Sequence, residues 1–225
     1  MMIIMDRNFL GLVISVAYLA FVIGIGYLIY IRKLASSDVV RKVVHIGVSN
    51  WWFVLVTCFD TPLLPVIGTG FFIIMNGLAT WHGWTQKFFG LKEEKKHHGL
   101  VYYPASLLGL VLLVYVADFP LHAATAGVLA MGYGDGIAGL IGHRFGRRKL
   151  PGSEKTWLGT GMMFLVSCVV VAGVLLAWNL SGRMFVPVIL STAFIAALLE
   201  AVSPYGLDNL SVPFGVAFWM MMPWW

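Results

Sequence analysis

Three carboxylates in this chain stand where the surrounding apolar sequence makes them costly. Asp135 lies between two glycines in GYGDGIAG, Glu200 closes the apolar run 184–202, and Asp208 with Asn209 opens the next one. Ionisable groups inside or beside a membrane segment usually mark a functional interior. His45 follows Arg41 by one helical turn, which puts the two on a common face. Around them lie stretches of Arg and Lys, foremost RFGRRK at 144–149, with Lys155 shortly after. Carboxylates hold Mg²⁺ and cations neutralise phosphate oxygens, so the chemistry these residues support is that of a metal and a polyphosphate.

Each piece also has a plainer explanation. A basic run such as RFGRRK is what any cytoplasmic loop of a membrane protein carries. The glycines at 127, 132, 134, 136, 139 and 142 include GxxxG spacings that let helices pack closely. Packing does not explain an aspartate between two of them, and glycine on both sides also lets the backbone approach a ligand. Glu200 and Asp208 have a reading as solvated helix ends, and His45 as a packed histidine. His97 and His98 sit in a charged loop with no second ligand pair, a poor zinc signal. Several motifs are missing. Lys155–Thr156 is preceded by Glu154 and not by a P-loop, and the protein-kinase set, HExxH and GxSxG do not occur. If this chain handles phosphate, it does so with the ends of membrane helices.

The elements that must position these groups follow from composition. Of 225 residues, 60% are hydrophobic and only 11% charged, with net charge +5 and mean hydropathy +0.87. A soluble domain carries roughly 25% charged residues, and disordered chains are poor in apolar residues, so both classes are excluded. The only cysteines, Cys58 and Cys168, sit in apolar runs and make no disulfide framework. The bilayer, not nucleic acid, is the partner this composition implies. Cutting at charges and turn residues gives candidate spans at 9–31, 43–59, 63–80, 100–117, 121–142, 157–178, 184–202 and 208–225. The last is short and carries Pro213 and Pro223; as a re-entrant segment it would leave seven. The expected fold is an all-α polytopic transmembrane helix bundle of 7–8 spans, forming a single domain over 1–225.

With the N-terminus outside, every basic residue except Arg7 and Arg183 falls on one side. They follow span one (Arg32, Lys33, Arg41, Lys42), span three (Lys87, Lys92, Lys95, Lys96) and span five (Arg144, Arg147, Arg148, Lys149, Lys155). The positive-inside rule makes that side cytoplasmic, and the three carboxylates meet it at one level. Trp51, Trp52, Trp81, Trp84, Trp224 and Trp225 lie near span boundaries, where amphipathic rings anchor at the interface. No leading signal or transit segment is evident, which points to a prokaryotic inner membrane.

Four blocks carry a resemblance: RKVVHIG at 41–47, GLVYYP at 99–104, GDGIAGLIGHRFGRRKLPGSEKTWLGT at 134–160, and Glu200 followed by LDNLSVP at 207–213. In these residues, and in their order along most of the chain, the sequence resembles the polyprenol kinase family of phytol kinases, dolichol kinases and CTP-dependent diacylglycerol kinases. The KTWLGT segment is most similar to phytol and farnesol kinases, with Leu158 where dolichol kinases tend to carry Glu. One departure is Leu207 before Asp208–Asn209, where relatives often show two aspartates.

The resemblance implies transfer of the γ-phosphate of CTP, with Mg²⁺, to the hydroxyl of a membrane isoprenoid alcohol or diacylglycerol. It assigns Asp135 to Mg²⁺ or to the hydroxyl proton, and Lys155, Arg147, Arg148 and Thr156 to the nucleotide phosphates. It assigns Arg41 and His45 to orienting the phosphate or the alcohol, and Glu200, Asp208 and Asn209 to completing the metal and hydroxyl sites. Two rivals differ in chemistry. A CDP-lipid synthase also uses CTP, but its paired aspartates around an arginine are not found here. A small transporter would place its polar groups at the midplane in an internal repeat, and neither feature occurs.

Overall fold

Backbone N–H and C=O groups find no partner in hydrocarbon, so apolar runs of this length close their hydrogen bonds internally as helices. The computed structural model describes residues 6–89 and 98–222. Its helices are α1 (Arg7–Ile31), α2 (Ser37–Ser49), α3 (Trp51–Cys58), α4 (Leu63–Trp81), α5 (Trp84–Phe89) and α6 (Gly99–Val116). They continue as α7 (Leu121–Leu129), a π-helical stretch Ala130–Asp135, α8 (Gly136–Phe145), α9 (Trp157–Ala177), α10 (Phe185–Val202) and α11 (Asp208–Met220). Among the described residues, seven segments are long and apolar enough to cross a membrane: α1, α2–α3, α4, α6, α7–α8, α9 and α10. The protein is a multi-pass membrane protein. Its α11 has 13 residues, about 20 Å of helix at 1.5 Å per residue, short of the roughly 30 Å hydrocarbon core. Among the described residues, α11 is therefore not one of the spanning helices.

The α7–α8 span is the axis of the bundle. It is 72% buried, against 11–33% for the other six. Small residues make this possible: Ala123, Ala124, Ala126 and Gly127 of α7 let neighbours reach the backbone. A Cβ on Gly127 would lie 2.3 Å from the Pro213 carbonyl oxygen of α11. The glycines flanking Asp135 serve the same purpose. A Cβ on Gly134 would meet Met163 Sδ at 2.5 Å, and one on Gly136 would meet Ile46 Cγ1 at 2.4 Å. Helix packing, not ligand approach, therefore accounts for these two glycines. Between α7 and α8, Ala130–Asp135 adopts π geometry, a wide turn found frequently at functional sites.

The second span is divided at Asn50. Its side-chain amide donates to the Ile46 carbonyl (3.2 Å), and its Oδ1 accepts from the Tyr133 hydroxyl (2.6 Å). Next to this break, Trp51 and Trp52 are core residues and not interface anchors. Their indole N–H groups donate inward to Ser15 Oγ and Thr125 Oγ1, each at 2.8 Å, which satisfies the one polar atom a buried Trp carries. Trp81, at 87% exposure, and Trp84 are exposed at a helix end as expected of anchors. Trp224, Trp225, His97 and the lysines at 92, 95 and 96 lie outside the described residues. At the opposite end, Arg7 pairs with Asp60 (2.8 Å), and Asn8 accepts from the backbone of Asp60 and Thr61. These bonds tie the start of α1 to the α3–α4 turn.

Candidate active site

Three chain segments converge on Asp135 at one end of the bundle. The first is α2. It begins at Ser37, so Arg41 and Lys42 belong to a helix and not to the preceding loop. Residues 42 and 45 are three apart and share a face, and that face is turned to the α7–α8 span. Lys42 Nζ donates to Asp135 Oδ2 at 2.6 Å, and His45 Nε2 lies 3.8 Å from the same oxygen. Gly139 leaves the room for it, since a Cβ there would meet Lys42 Cε at 2.4 Å.

The second segment is the loop from α8 to α9. It folds back through Gly152, at φ +70°, and is closed by a bridge between Lys149 and Thr156 and by Leu150 N–H donating to the Lys155 carbonyl. Lys149 and Glu154 pair across it. Thr156 then caps α9, its hydroxyl accepting from Gly159 N–H at 3.1 Å. This fixed hairpin aims Lys155 across the bundle. The third segment is the α10–α11 turn. Gly206 takes φ +83°, a conformation L side chains resist, and packs on Gly99, where a Cβ would lie 2.9 Å from the backbone nitrogen. The turn brings Asp208 back beside Glu200.

Lys155 Nζ sits between these two acids, 2.7 Å from Asp208 Oδ2 and 2.8 Å from Glu200 Oε1, and it also donates to the Glu200 carbonyl. Burial works against its charge, but the Asp208 and Glu200 carboxylates outweigh that and hold its pKa above the ordinary lysine value. The remaining oxygens are also engaged. Thr160 donates to Glu200 Oε2 at 3.2 Å, and the backbone and side-chain N–H groups of Asn209 donate to Asp208 Oδ1 at 3.0 and 3.1 Å. Asp208 further benefits from the N-terminal end of α11.

Asp135, Glu200 and Asp208 are all buried, and one oxygen of each lies within 4.8 Å of the others. Two ammonium groups, Lys42 and Lys155, face these three carboxylates, so the centre retains an excess of negative charge. Hard oxygen donors at this spacing fit a cation such as Mg²⁺, which favours one or two carboxylates plus phosphate oxygens over a complete protein cage.

The structure thus gathers Asp135, His45, Lys155, Glu200 and Asp208. Asn209 is given to Asp208 as a hydrogen-bond donor. Arg41 is not part of the cluster: it is half exposed and reaches Asp38 at 3.9 Å, one turn back on its own helix. Arg147 and Arg148 are exposed on the hairpin. Three residues escaped the sequence reading. Lys42 carried a signal in its i,i+3 spacing to His45. Thr160 and Tyr103, whose ring centroid lies 4.2 Å from that of His45, carried none.

Comparison with known proteins gives a consistent set. The chain is 32% identical over 193 residues to a phytol kinase of Synechocystis sp., covering 82% of this chain and 78% of that protein. It is 30% identical over 207 residues to a probable chloroplastic phytol kinase of Triticum aestivum, covering 81% of this chain and 66% of the wheat protein. A dolichol kinase of Saccharomyces cerevisiae matches at 28% identity over 126 residues, covering 54% of this chain and 23% of the yeast protein. No family model and no solved structure matches.

Proposed function

From the premise that the chain belongs to the polyprenol kinase family and is a phosphotransferase acting on an alcohol group, we propose that it transfers the γ-phosphate of CTP to a membrane isoprenoid alcohol. The acceptor is of the phytol, farnesol or polyprenol type, with diacylglycerol as the other candidate. The observation that carries this reading is the buried centre of Asp135, Glu200 and Asp208 interleaved with Lys42 and Lys155. Phosphoryl transfer is chiefly a matter of positioning and of neutralising charge on the phosphoryl oxygens, and this centre supplies both signs at the end of an apolar bundle.

In this reading the alcohol oxygen attacks the γ-phosphorus, the bond to the bridging oxygen breaks, and CDP leaves with its electron pair. Lys155 neutralises the charge that spreads over the equatorial oxygens. Arg147 and Arg148, exposed beside it, meet the outer phosphates. Thr156 uses its hydroxyl oxygen to cap α9 and keeps its proton for a phosphate oxygen. Asp135, Asp208 and Glu200 would hold Mg²⁺, which when bound supplies charge neutralisation at the phosphates. The hydroxyl proton passes to His45, whose Nε2 is buried and makes no hydrogen bond among the described residues. Asp135 is the poorer acceptor, because the Lys42 ammonium already holds it. Lys42 fixes the Asp135 rotamer, and Asn209 fixes that of Asp208.

The side of the membrane follows from charge. Lys42, Lys155, Arg147 and Arg148 share one end of the bundle with Arg32, Lys33 and Arg144, so that end faces the cytoplasm under the positive-inside rule, with the N-terminus outside. Nucleotide then reaches the site from water and the alcohol reaches it from the bilayer of a prokaryotic inner membrane.

The test is turnover by detergent-purified protein with Mg²⁺, offering CTP or ATP against phytol, farnesol, undecaprenol and diacylglycerol. CDP and a lipid monophosphate, both lost in Asp135→Asn and Lys155→Ala, are the expected products. Release of pyrophosphate with a CDP-lipid would overturn the assignment in favour of a cytidylyltransferase.

A further inference from the structure

The break at Asn50 joins α2 to the rest of its span by a hinge. Beyond the hinge α3 is fixed, because Trp51 and Trp52 donate to Ser15 and Thr125 at 2.8 Å. A helix break in hydrocarbon frees backbone carbonyls that must find other donors. The Ile46 carbonyl receives the Ser49 hydroxyl at 2.6 Å and the Asn50 amide N–H at 3.2 Å, and the Gly47 carbonyl receives the Tyr18 hydroxyl at 2.8 Å. That repair uses only the nitrogen of the Asn50 amide. Its oxygen accepts instead from Tyr133 Oη at 2.6 Å, in the π turn that ends at Asp135. Both residues lie inside spanning segments, where a polar pair has a cost that calls for a role.

The role is visible in how α2 is seated. Lys42, Ile46 and Ser49 lie on one face of α2, at spacings of four and three. They fill the room left by Gly139, Gly136 and Gly132, where added Cβ atoms would collide with them. Glycine surfaces let helices approach closely, but such contacts are not directional. A hydrogen bond is directional, and the Tyr133–Asn50 bond ties the hinge end of α2 to the π turn. Farther along α2 the same seating delivers Lys42 Nζ to 2.6 Å and His45 Nε2 to 3.8 Å from Asp135 Oδ2.

We propose that Tyr133 is a positioning residue for phosphoryl transfer: by holding Asn50, its hydroxyl sets the rotation of α2 on the π turn and keeps Lys42 and His45 against Asp135. The assignment rests on the kinase reading of that centre. Tyr133 itself touches neither nucleotide nor alcohol.

Tyr133→Phe keeps the ring and deletes only Oη. With detergent-purified protein, Mg²⁺ and CTP, turnover of phytol or farnesol should lose about tenfold in kcat, the order expected when reacting groups are slightly misplaced. Both KM values should stay within about twofold. In an Asn50→Ala background the same substitution should cost no further kcat, since the two residues act through one bond. An unchanged kcat, a loss that falls on either KM, or additive losses in the two variants would overturn the assignment. A second readout needs no turnover. A Cβ at Gly136 stands 3.9 Å from Ile46 Cβ, inside the disulfide range of about 3.5–4.5 Å. Ile46→Cys with Gly136→Cys should therefore cross-link on mild oxidation, followed by mass spectrometry after proteolysis. Adding Tyr133→Phe should slow the cross-link by about fivefold. An equal rate with and without Tyr133→Phe, or no cross-link in either background, refutes the proposal. If the unsubstituted protein phosphorylates no alcohol, the kinase reading fails, and the cross-linking rate alone decides whether Tyr133 holds α2 in place.

Discussion

Replacing Lys155 with Met removes a cation that Glu200 and Asp208 share. The methionine retains most of the volume and apolar stem, so what is lost is charge. At 2.7 and 2.8 Å, each ion pair has an attraction of about 6 kcal/mol at an effective dielectric constant near 20. Much of that is offset by the desolvation of three charged groups. Leaving buried partners uncompensated costs about 3–5 kcal/mol. For a chain of this length each kcal/mol moves Tm by about 2–4 °C, so Lys155→Met should lower Tm by about 6–20 °C in chelator. The assay is thermal unfolding in detergent followed by tryptophan fluorescence.

A triple variant, Lys155→Met with Glu200→Gln and Asp208→Asn, supplies the internal control. It leaves no uncompensated charge, so it should recover most of the loss even though it carries more substitutions. Added Mg²⁺ should raise the Tm of the single variant more than that of the parent, because a cation then occupies the place of the ammonium. A single variant within about 2 °C of the parent, or a triple variant no more stable than the single one, would refute the placement of Lys155 between the two acids.

Gly139→Ala puts a methyl group 2.4 Å from Lys42 Cε; the flexible lysine can yield, so Tm should stay near that of the parent while kcat falls as Asp135 loses its partner, read by parallel unfolding and turnover. Gly127→Ala meets the immobile Pro213 carbonyl at 2.3 Å, and overpacking of about 1–3 kcal/mol should lower Tm and yield while the folded fraction keeps its kcat. Because Lys155 has a raised pKa, its stabilising contribution is complete below the ordinary lysine value of 10.5 and is lost as pH climbs through the higher folded-state value. The Tm difference between parent and Lys155→Met should therefore hold steady from about pH 7 to pH 10 and narrow only beyond that.

The spans were legible because the bilayer fixes how long an apolar run must be, and Asp135, Glu200 and Asp208 because a carboxylate there has a cost that needs a reason. Helix starts were less so. Arg41 and Lys42 read as part of the loop after span one because charges cluster at membrane surfaces, yet a helix end at that surface tolerates them, and α2 starts at Ser37. The same ambiguity favoured Arg41 over Lys42 as the companion of His45: spacings of three and four both fit one face, and only the azimuth of α2 against Gly139 decides between them. Trp51 and Trp52 looked like anchors because a single sequence does not show Ser15 and Thr125 waiting to receive their N–H groups. Tyr103 was invisible for the opposite reason, since a ring packed on His45 is a property of three-dimensional surroundings.

The wide turn at Ala130–Asp135 bears on how insertions and deletions should be tolerated here. Ordinary α geometry advances about 100° per residue. A π turn holds one residue more than an α turn, so Ala130–Asp135 absorbs an extra residue and keeps Gly136–Phe145 in the phase that an α-helix one residue shorter would give it. Deleting one residue from this stretch should therefore let the helix relax to standard winding with Asp135 still on the Lys42 side of the bundle. Inserting one more residue has no such slack: everything after it would be re-phased by more than a quarter turn relative to Leu121–Leu129, and the carboxylate would leave the Lys42 side without any charged residue having been substituted. The wide turn works as a phase buffer between a helix half that packs and a helix half that reacts, and in this region chain length counts as much as residue identity.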